Sequence, residues 1–83
     1  MTTLIRSAKA LGNLIQRERK QKGWSQAELG DRVAMRQSAV SMIEKGQAAL
    51  KLDTLMTIMA ALDLDLHVGP RAKGSTKDFV DML

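Results

Sequence analysis

Two short helical segments with almost no chain between them limit this sequence to a few folds. The first begins within WSQAEL, where Ser25 and Glu28 have the S-x-x-E spacing of a capping box. Trp24 and Leu29 occupy the two positions of a hydrophobic staple at the same helix end. These signals predict a helix that starts at about Gln26.

The second segment follows after a very short connection. The first helix of the pair is predicted to end near Val33, so only residues 34–36 precede the next helical pattern. That pattern covers about residues 37–45, and Gly46 lies at its C-terminal boundary. Two short helices with a connection of three or four residues are typical of a helix-turn-helix.

The helix over residues 37–45 has two unlike faces. At roughly 100° per residue, Val40 and Ile43 fall on one side, where they are suited to a core. A cluster of uncharged polar residues and one lysine shares about a quarter of the circumference on the other side. Its members are Gln37, Ser38, Ser41 and Lys45. This second face is therefore expected to meet a polar partner.

The rest of the chain predicts two more helices and one strand. Ser7 is suited to cap a helix over about residues 8–22, which Gly23 ends. Apolar spacing predicts a fourth helix over about residues 52–62. LDLDLHV, residues 62–68, then alternates apolar and polar residues as a half-buried strand does. The fold class predicted is all-α, with four helices followed by one short C-terminal β-strand.

A single strand needs a partner for its backbone groups and its apolar face. Antiparallel pairing with the same strand of a second copy would bury Leu64, Leu66 and Val68 in a homodimer interface. The alternative is pairing with Leu4 and Ile5 of the same chain. We expect the homodimer, and the intramolecular pairing stays open.

Length and charge point in the same direction. A core built from 83 residues is marginal, and the absence of cysteine excludes disulfides, so a partner subunit is the expected source of extra stability. Residues 1–51 contain ten basic and four acidic residues, a net charge of +6, whereas residues 52–83 carry a net charge of −2. The first half is therefore expected to meet a polyanion.

Double-stranded DNA is the polyanion that fits these features. The second helix of a helix-turn-helix enters the major groove, and the amide of Gln37 has the donor and acceptor that adenine presents there. The predicted base-contacting residues are Gln37, Ser38, Ala39, Ser41 and Met42. The predicted phosphate-contacting residues are Ser25, Gln26, Arg36, Lys45 and Lys51.

Other function classes lack their usual residues. The chain has no cysteine and one histidine, His67, and it contains no nucleophile-base-acid set, so we predict no enzyme activity, metal or cofactor. It opens without the apolar region of a secretory signal and has no run that could span a bilayer. We expect a cytoplasmic protein that lies on the nucleoid when bound to DNA, and no membrane partner.

The run WSQAELGDRVAMRQSAVSMIEKG resembles the lambda-repressor-like, or Xre-type, helix-turn-helix domains. The ungapped stretch from Ser7 to Val68, with its alternating strand after the last helix, is similar to HipB-type antitoxins. This resemblance implies a homodimeric repressor that represses its own operon through a DNA operator with two-fold related half-sites. It also implies that the protein neutralises a HipA-like Ser/Thr kinase toxin in a type II toxin-antitoxin module.

The resemblance has further implications for single residues. Arg19 and Glu44 match an arginine and a glutamate that form a structural ion pair in such repressors. The sequence departs from the family pattern at the turn, where Ala34 replaces the usual glycine and Gly30 replaces a usual helix alanine. If the turn requires a positive φ at position 34, alanine there is less favourable than glycine by roughly 1 kcal/mol.

The sequence divides into three expected parts. Residues 1–6 form an N-terminal arm, residues 7–68 the DNA-binding and dimerisation domain, and residues 69–83 a flexible tail. The tail ends in an apolar cluster that is either a docking segment for a partner or a disordered end. Its members are Phe79, Val80, Met82 and Leu83. A stand-alone Xre-type regulator without a toxin and a module that binds an acidic protein remain as alternatives.

Overall fold

The computed structural model describes residues 3–71, which contain four helices. They are α1 (Ala8–Gln21), α2 (Gln26–Val33), α3 (Gln37–Glu44) and α4 (Leu52–Ala61). The predicted helices are confirmed, and each predicted boundary lies within one residue of the observed one. The apolar cluster predicted at the end of the tail lies outside the described residues.

The N-termini of the first two helices are closed by the expected caps. The Ser7 hydroxyl accepts a hydrogen bond from the Ala10 N–H at 3.0 Å. At α2 the Ser25 hydroxyl accepts from the Glu28 N–H at 3.0 Å, and the Glu28 carboxylate accepts from the Ser25 N–H at 3.1 Å. The capping box therefore satisfies two backbone donors that the helix itself leaves unpaired, which fixes where α2 begins.

All four helices end through a residue in the left-handed region. Gly23 and Gly46 have φ of 75° and 73°, whereas Ala34 and Asp63 have φ of 58° and 57°. After each of them the next backbone N–H donates to a carbonyl five residues earlier, for example Met35 to Gly30 at 2.8 Å. These are Schellman-type ends, which turn the chain sharply and keep the connections short.

The core lies where the four helices converge. Ile15, Leu29, Val40 and Ile58, one from each helix, are the largest fully buried side chains. Close helix contact depends on Gly12 in α1, because a Cβ there would meet the carbonyl oxygens of the last two residues of α3. The core thus holds α3 against both α1 and α2.

The turn between α2 and α3 differs from the family pattern in a coupled way. Ala34 adopts the positive φ that the resemblance implied for its position. Gly30 is required for a separate reason, since a Cβ there would meet the Met35 carbonyl oxygen. The exchange of alanine and glycine therefore places strain at residue 34 and a close backbone approach at residue 30.

Residues 64–71 follow α4 without regular secondary structure in the single chain. Leu66 is 47% exposed and Val68 is 87% exposed, while Leu64 packs against the core. Within residues 3–71, no backbone hydrogen bond joins this segment to Leu4 or Ile5, although both segments line one groove. Pairing of this strand with a second copy stays a prediction. None of the helices in this part of the chain has the length and apolar character needed to cross a membrane.

Candidate nucleic-acid interface

The exposed face of α3 carries the residues that were predicted to contact bases. Gln37, Ser38 and Met42 are exposed, and Ser41 is half-buried beside them. Ala39 lies instead on the flank of α3, where it helps to line a shallow apolar groove that Met42 also borders. The structure thus brings four of the five residues together on one surface and places Ala39 at its edge.

A buried ion pair fixes the orientation of α3. The Arg19 guanidinium donates from Nε to Glu44 Oε2 at 2.6 Å and from Nη2 to Glu44 Oε1 at 3.0 Å. Arg19 also donates to the Trp24 carbonyl oxygen at 2.7 Å. These hydrogen bonds to Glu44 raise the pKa of Arg19 above its usual value, so the guanidinium remains charged. The structural pair that the resemblance implied is present and ties the end of α3 to α1.

The polar network continues from this pair to the surface. The Gln26 amide Nε2 donates to Glu44 Oε1 at 3.0 Å, and the Gln26 Oε1 accepts from Gln37 Nε2 at 2.9 Å. Because an ionised carboxylate only accepts hydrogen bonds, Gln26 must turn its nitrogen toward Glu44 and its oxygen toward Gln37. The orientation of the Gln37 amide is therefore set by a buried charge. We call the chain Arg19–Glu44–Gln26–Gln37 the polar relay.

The polar relay leaves part of the Gln37 amide free. One of its two N–H donors is used by Gln26, so the second N–H and the carbonyl oxygen remain. These two groups are the donor and acceptor that a bidentate contact with adenine requires. Sequence reasoning assigned Gln26 to phosphate and missed this contact, for which the only signal was a glutamine at the start of each of two adjacent helices.

The predicted phosphate contacts surround the same face. Arg36, Lys45 and Lys51 are exposed, and the hydroxyl oxygen of Ser25 is occupied in the capping box. Arg36 and Lys51 are also the N-cap residues of α3 and α4, and neither makes a side-chain capping bond. The N-terminal N–H groups of these two helices are therefore not satisfied by side-chain caps.

The cations around Trp24, which precedes the N-terminus of α2, are arranged differently. The Arg32 guanidinium lies 4.0 Å from the centre of the Trp24 ring, and Lys22 lies 5.5 Å from it. Lys22 also donates to Asp63 at 2.7 Å, and this hydrogen bond lowers the pKa of Asp63 below its ordinary value. These cations are already engaged by an aromatic ring or a carboxylate. Within residues 3–71, no cluster of three or more potential metal ligands is present.

We call the polar surface of α3 formed by Gln37, Ser38, Ser41 and Met42 the recognition face. Four helices with a short turn between α2 and α3, and a recognition face bordered by cations, define a helix-turn-helix DNA-binding transcriptional regulator. The family model described as helix-turn-helix, HTH_3, matches residues 15–68. The chain belongs to this family. No curated protein sequence matches it.

Several solved structures share the fold. The restriction-modification controller protein C.AhdI from Aeromonas hydrophila is 28% identical with a TM-score of 0.66, over 70% of this chain and 84% of that one. HipB in a complex with an O2 20mer is 28% identical with a TM-score of 0.75, over 87% of this chain and 100% of that one. A HipA-HipB-O2-O3 complex contains a chain that is 27% identical with a TM-score of 0.74, over 86% of this chain and 100% of that one.

Proposed function

We propose that this protein is a sequence-specific repressor of its own operon and the antitoxin of a HipA-like Ser/Thr kinase toxin. The observation that carries the DNA-binding part is the polar relay, which presents the free donor and acceptor of Gln37 in a fixed orientation. An amide that is held in place before binding loses less conformational entropy on contact with a base.

The recognition face reads the major groove through α3. Gln37 contacts an adenine through N6 and N7, while Ser38 and Ser41 bond to base edges or nearby phosphates. Met42, which is 43% exposed, is suited to a thymine methyl group. Ala39, at the edge of this face, is the weaker candidate for such a contact. Arg36, Lys45 and Lys51 bind phosphates without sequence preference.

The repressor acts as a homodimer. Leu66 and Val68 expose apolar side chains to water in the single chain, and the same strand of a second copy would cover them. A two-fold dimer places two recognition helices about one DNA turn apart, roughly 34 Å, on a two-fold related operator. Dimerisation thus doubles both the bases that are read and the phosphates that are contacted.

The antitoxin assignment rests on the similarity to HipB. The match covers the whole HipB chain, including structures in which HipB is combined with HipA. The runner-up is a stand-alone transcriptional regulator, which the comparable similarity to the controller C.AhdI supports. Both alternatives use the same DNA-binding surface and differ only in the protein partner.

Two measurements test the proposal. Titration of the protein with its own upstream DNA and with a scrambled duplex of equal length should show a clear preference for the upstream sequence. A gentle affinity pull-down from the native cells after nuclease treatment should then recover a kinase-like protein in stoichiometric amount. Recovery of the homodimer alone would leave the stand-alone regulator, and equal binding to both duplexes would contradict sequence-specific repression.

A further inference from the structure

The cations between residues 9 and 51 fall into two groups. Arg17, Arg19 and Lys22 each form an ion pair, and Arg32 lies on the Trp24 ring. Five other cations, all between residues 9 and 51, make no side-chain ion pair or hydrogen bond within residues 3–71. Among these, Arg36, Lys45 and Lys51 border the recognition face, and two more, Lys9 and Lys20, lie on α1. The two lysines of α1 are not among the predicted phosphate-contacting residues.

These two lysines belong to one stripe on the exposed side of α1. Lys9, Asn13, Gln16 and Lys20 follow one another at helical spacing, opposite the buried Leu14. The stripe contains no acid, and Glu18, the acidic residue of α1, lies on another side of the helix. At 1.5 Å per residue the two lysines are about 16 Å apart along the helix axis.

The α1 stripe lies beside the recognition helix. Gly46, directly after Lys45, approaches α1 so closely that a Cβ there would lie 2.7 Å from the Lys9 Cα. Farther along α1, Arg19 holds the last residue of α3 through the buried ion pair. The cation of Lys9 therefore extends the surface that Lys45 begins, and Lys20 continues it along the same helix.

We propose that the α1 stripe is a second phosphate-contacting surface, on which Lys9 and Lys20 bind the DNA backbone along the flank of α3. This inference rests on the proposed DNA binding and adds α1 to the elements that contact DNA. Unpaired lysines on a surface next to the recognition face attract the polyanion and release its counterions on contact. Lys22, only two residues beyond Lys20, is excluded because Asp63 already neutralises it.

The test compares three substitutions of the same kind in the full chain: Lys9→Gln, Lys20→Gln and, as the matched control, Lys22→Gln. For each variant the dissociation constants for the upstream DNA and for a scrambled duplex are measured from about 50 to about 200 mM salt. Each phosphate contact that is lost should lower the slope of log affinity against log salt by about 1, hence by about 2 in a dimer. The preference for upstream over scrambled DNA should remain unchanged.

The outcomes separate this inference from the proposed function. Slopes of K9Q and K20Q equal to that of K22Q, with the preference for upstream DNA intact, would overturn the inference alone. If the slopes of K9Q and K20Q equal that of K22Q and these two variants no longer co-purify with a protein partner, the α1 stripe binds that partner instead of DNA. A wild-type protein without preference for its upstream DNA would contradict the proposed repressor and the inference with it. Circular dichroism confirms that each variant is folded.

Discussion

At the scale of single residues, the buried Arg19–Glu44 pair joins the end of α3 to α1. Each of its partners is almost completely inaccessible to water, and the guanidinium and carboxylate bond through two parallel hydrogen bonds. Removal of one member leaves the other charge buried without its counterion, which lowers the free energy of unfolding more than replacement of both members by apolar residues does. The pair is therefore expected to be far more sensitive to mutation than an exposed one.

Glu44→Ala should lower the free energy of unfolding by about 3–5 kcal/mol, because Arg19 stays buried and charged. Denaturant titration followed by circular dichroism measures the change. Asp63→Asn is the control, since it removes the charge from the exposed pair with Lys22, keeps a side chain that tolerates the positive φ of residue 63, and should change stability little. Equal losses in the two variants would contradict a special role for the buried pair.

Gln37→Ala should cost about 1–3 kcal/mol of binding to the specific DNA site and relax the preference at one base pair. Gln26→Ala should reproduce part of this loss, because Gln37 then loses the partner that orients its amide. The two effects should not add in the double variant, since both residues act through one contact. Fluorescence anisotropy with operator variants measures the coupling, and strictly additive losses would show that the polar relay does not orient Gln37.

At the scale of elements, the connection between α2 and α3 carries backbone strain. Ala34→Gly should raise the free energy of unfolding by about 1 kcal/mol, because glycine adopts the positive φ without a Cβ penalty. Gly30→Ala should have the opposite sign, since the added Cβ would meet the Met35 carbonyl oxygen. Thermal melting of both variants tests this, and destabilisation by Ala34→Gly would mean that the turn is not strained at residue 34.

The elements differ in how far their sequence determines them. The start of α2 was predictable because a capping box is a local signal, complete within the four residues from Ser25 to Glu28. The contact between Gln26 and Gln37 was not, because it depends on the angle between two helices, which no spacing within one helix contains. The flank position of Ala39 does follow from spacing, since at 100° per residue Ala39 lies about 40° from the core residue Ile43.

At the scale of the whole molecule, the proposed dimer links the end of α4 to DNA affinity. Leu66→Lys should dissociate the dimer, because a lysine would replace an apolar side chain on the shared face of the strand. The monomeric variant should bind a single half-site weakly and should lose affinity for the two-fold operator. His67→Lys, on the alternate face, is the matched control and should remain dimeric.

Sedimentation velocity reports the oligomeric state of these two variants directly. A monomeric wild-type protein, or a dimeric Leu66→Lys variant, would contradict dimerisation through this strand. The alternation in residues 62–68 predicts a strand, but it does not decide whether that strand pairs with a second copy or with Leu4 and Ile5 of the same chain. The oligomeric state bears on this choice. That choice depends on surfaces that only an assembled molecule brings together.

The polar relay also has a consequence for how this protein can diverge during evolution. A change at Glu44 strongly destabilises the domain, whereas Ser38 and Ser41 make no hydrogen bond to the relay. Descendants that acquire new operators are therefore expected to vary first at positions 38 and 41. Gln26 and Gln37 should be retained in these descendants, together with the proposed preference for adenine at the base pair that Gln37 contacts.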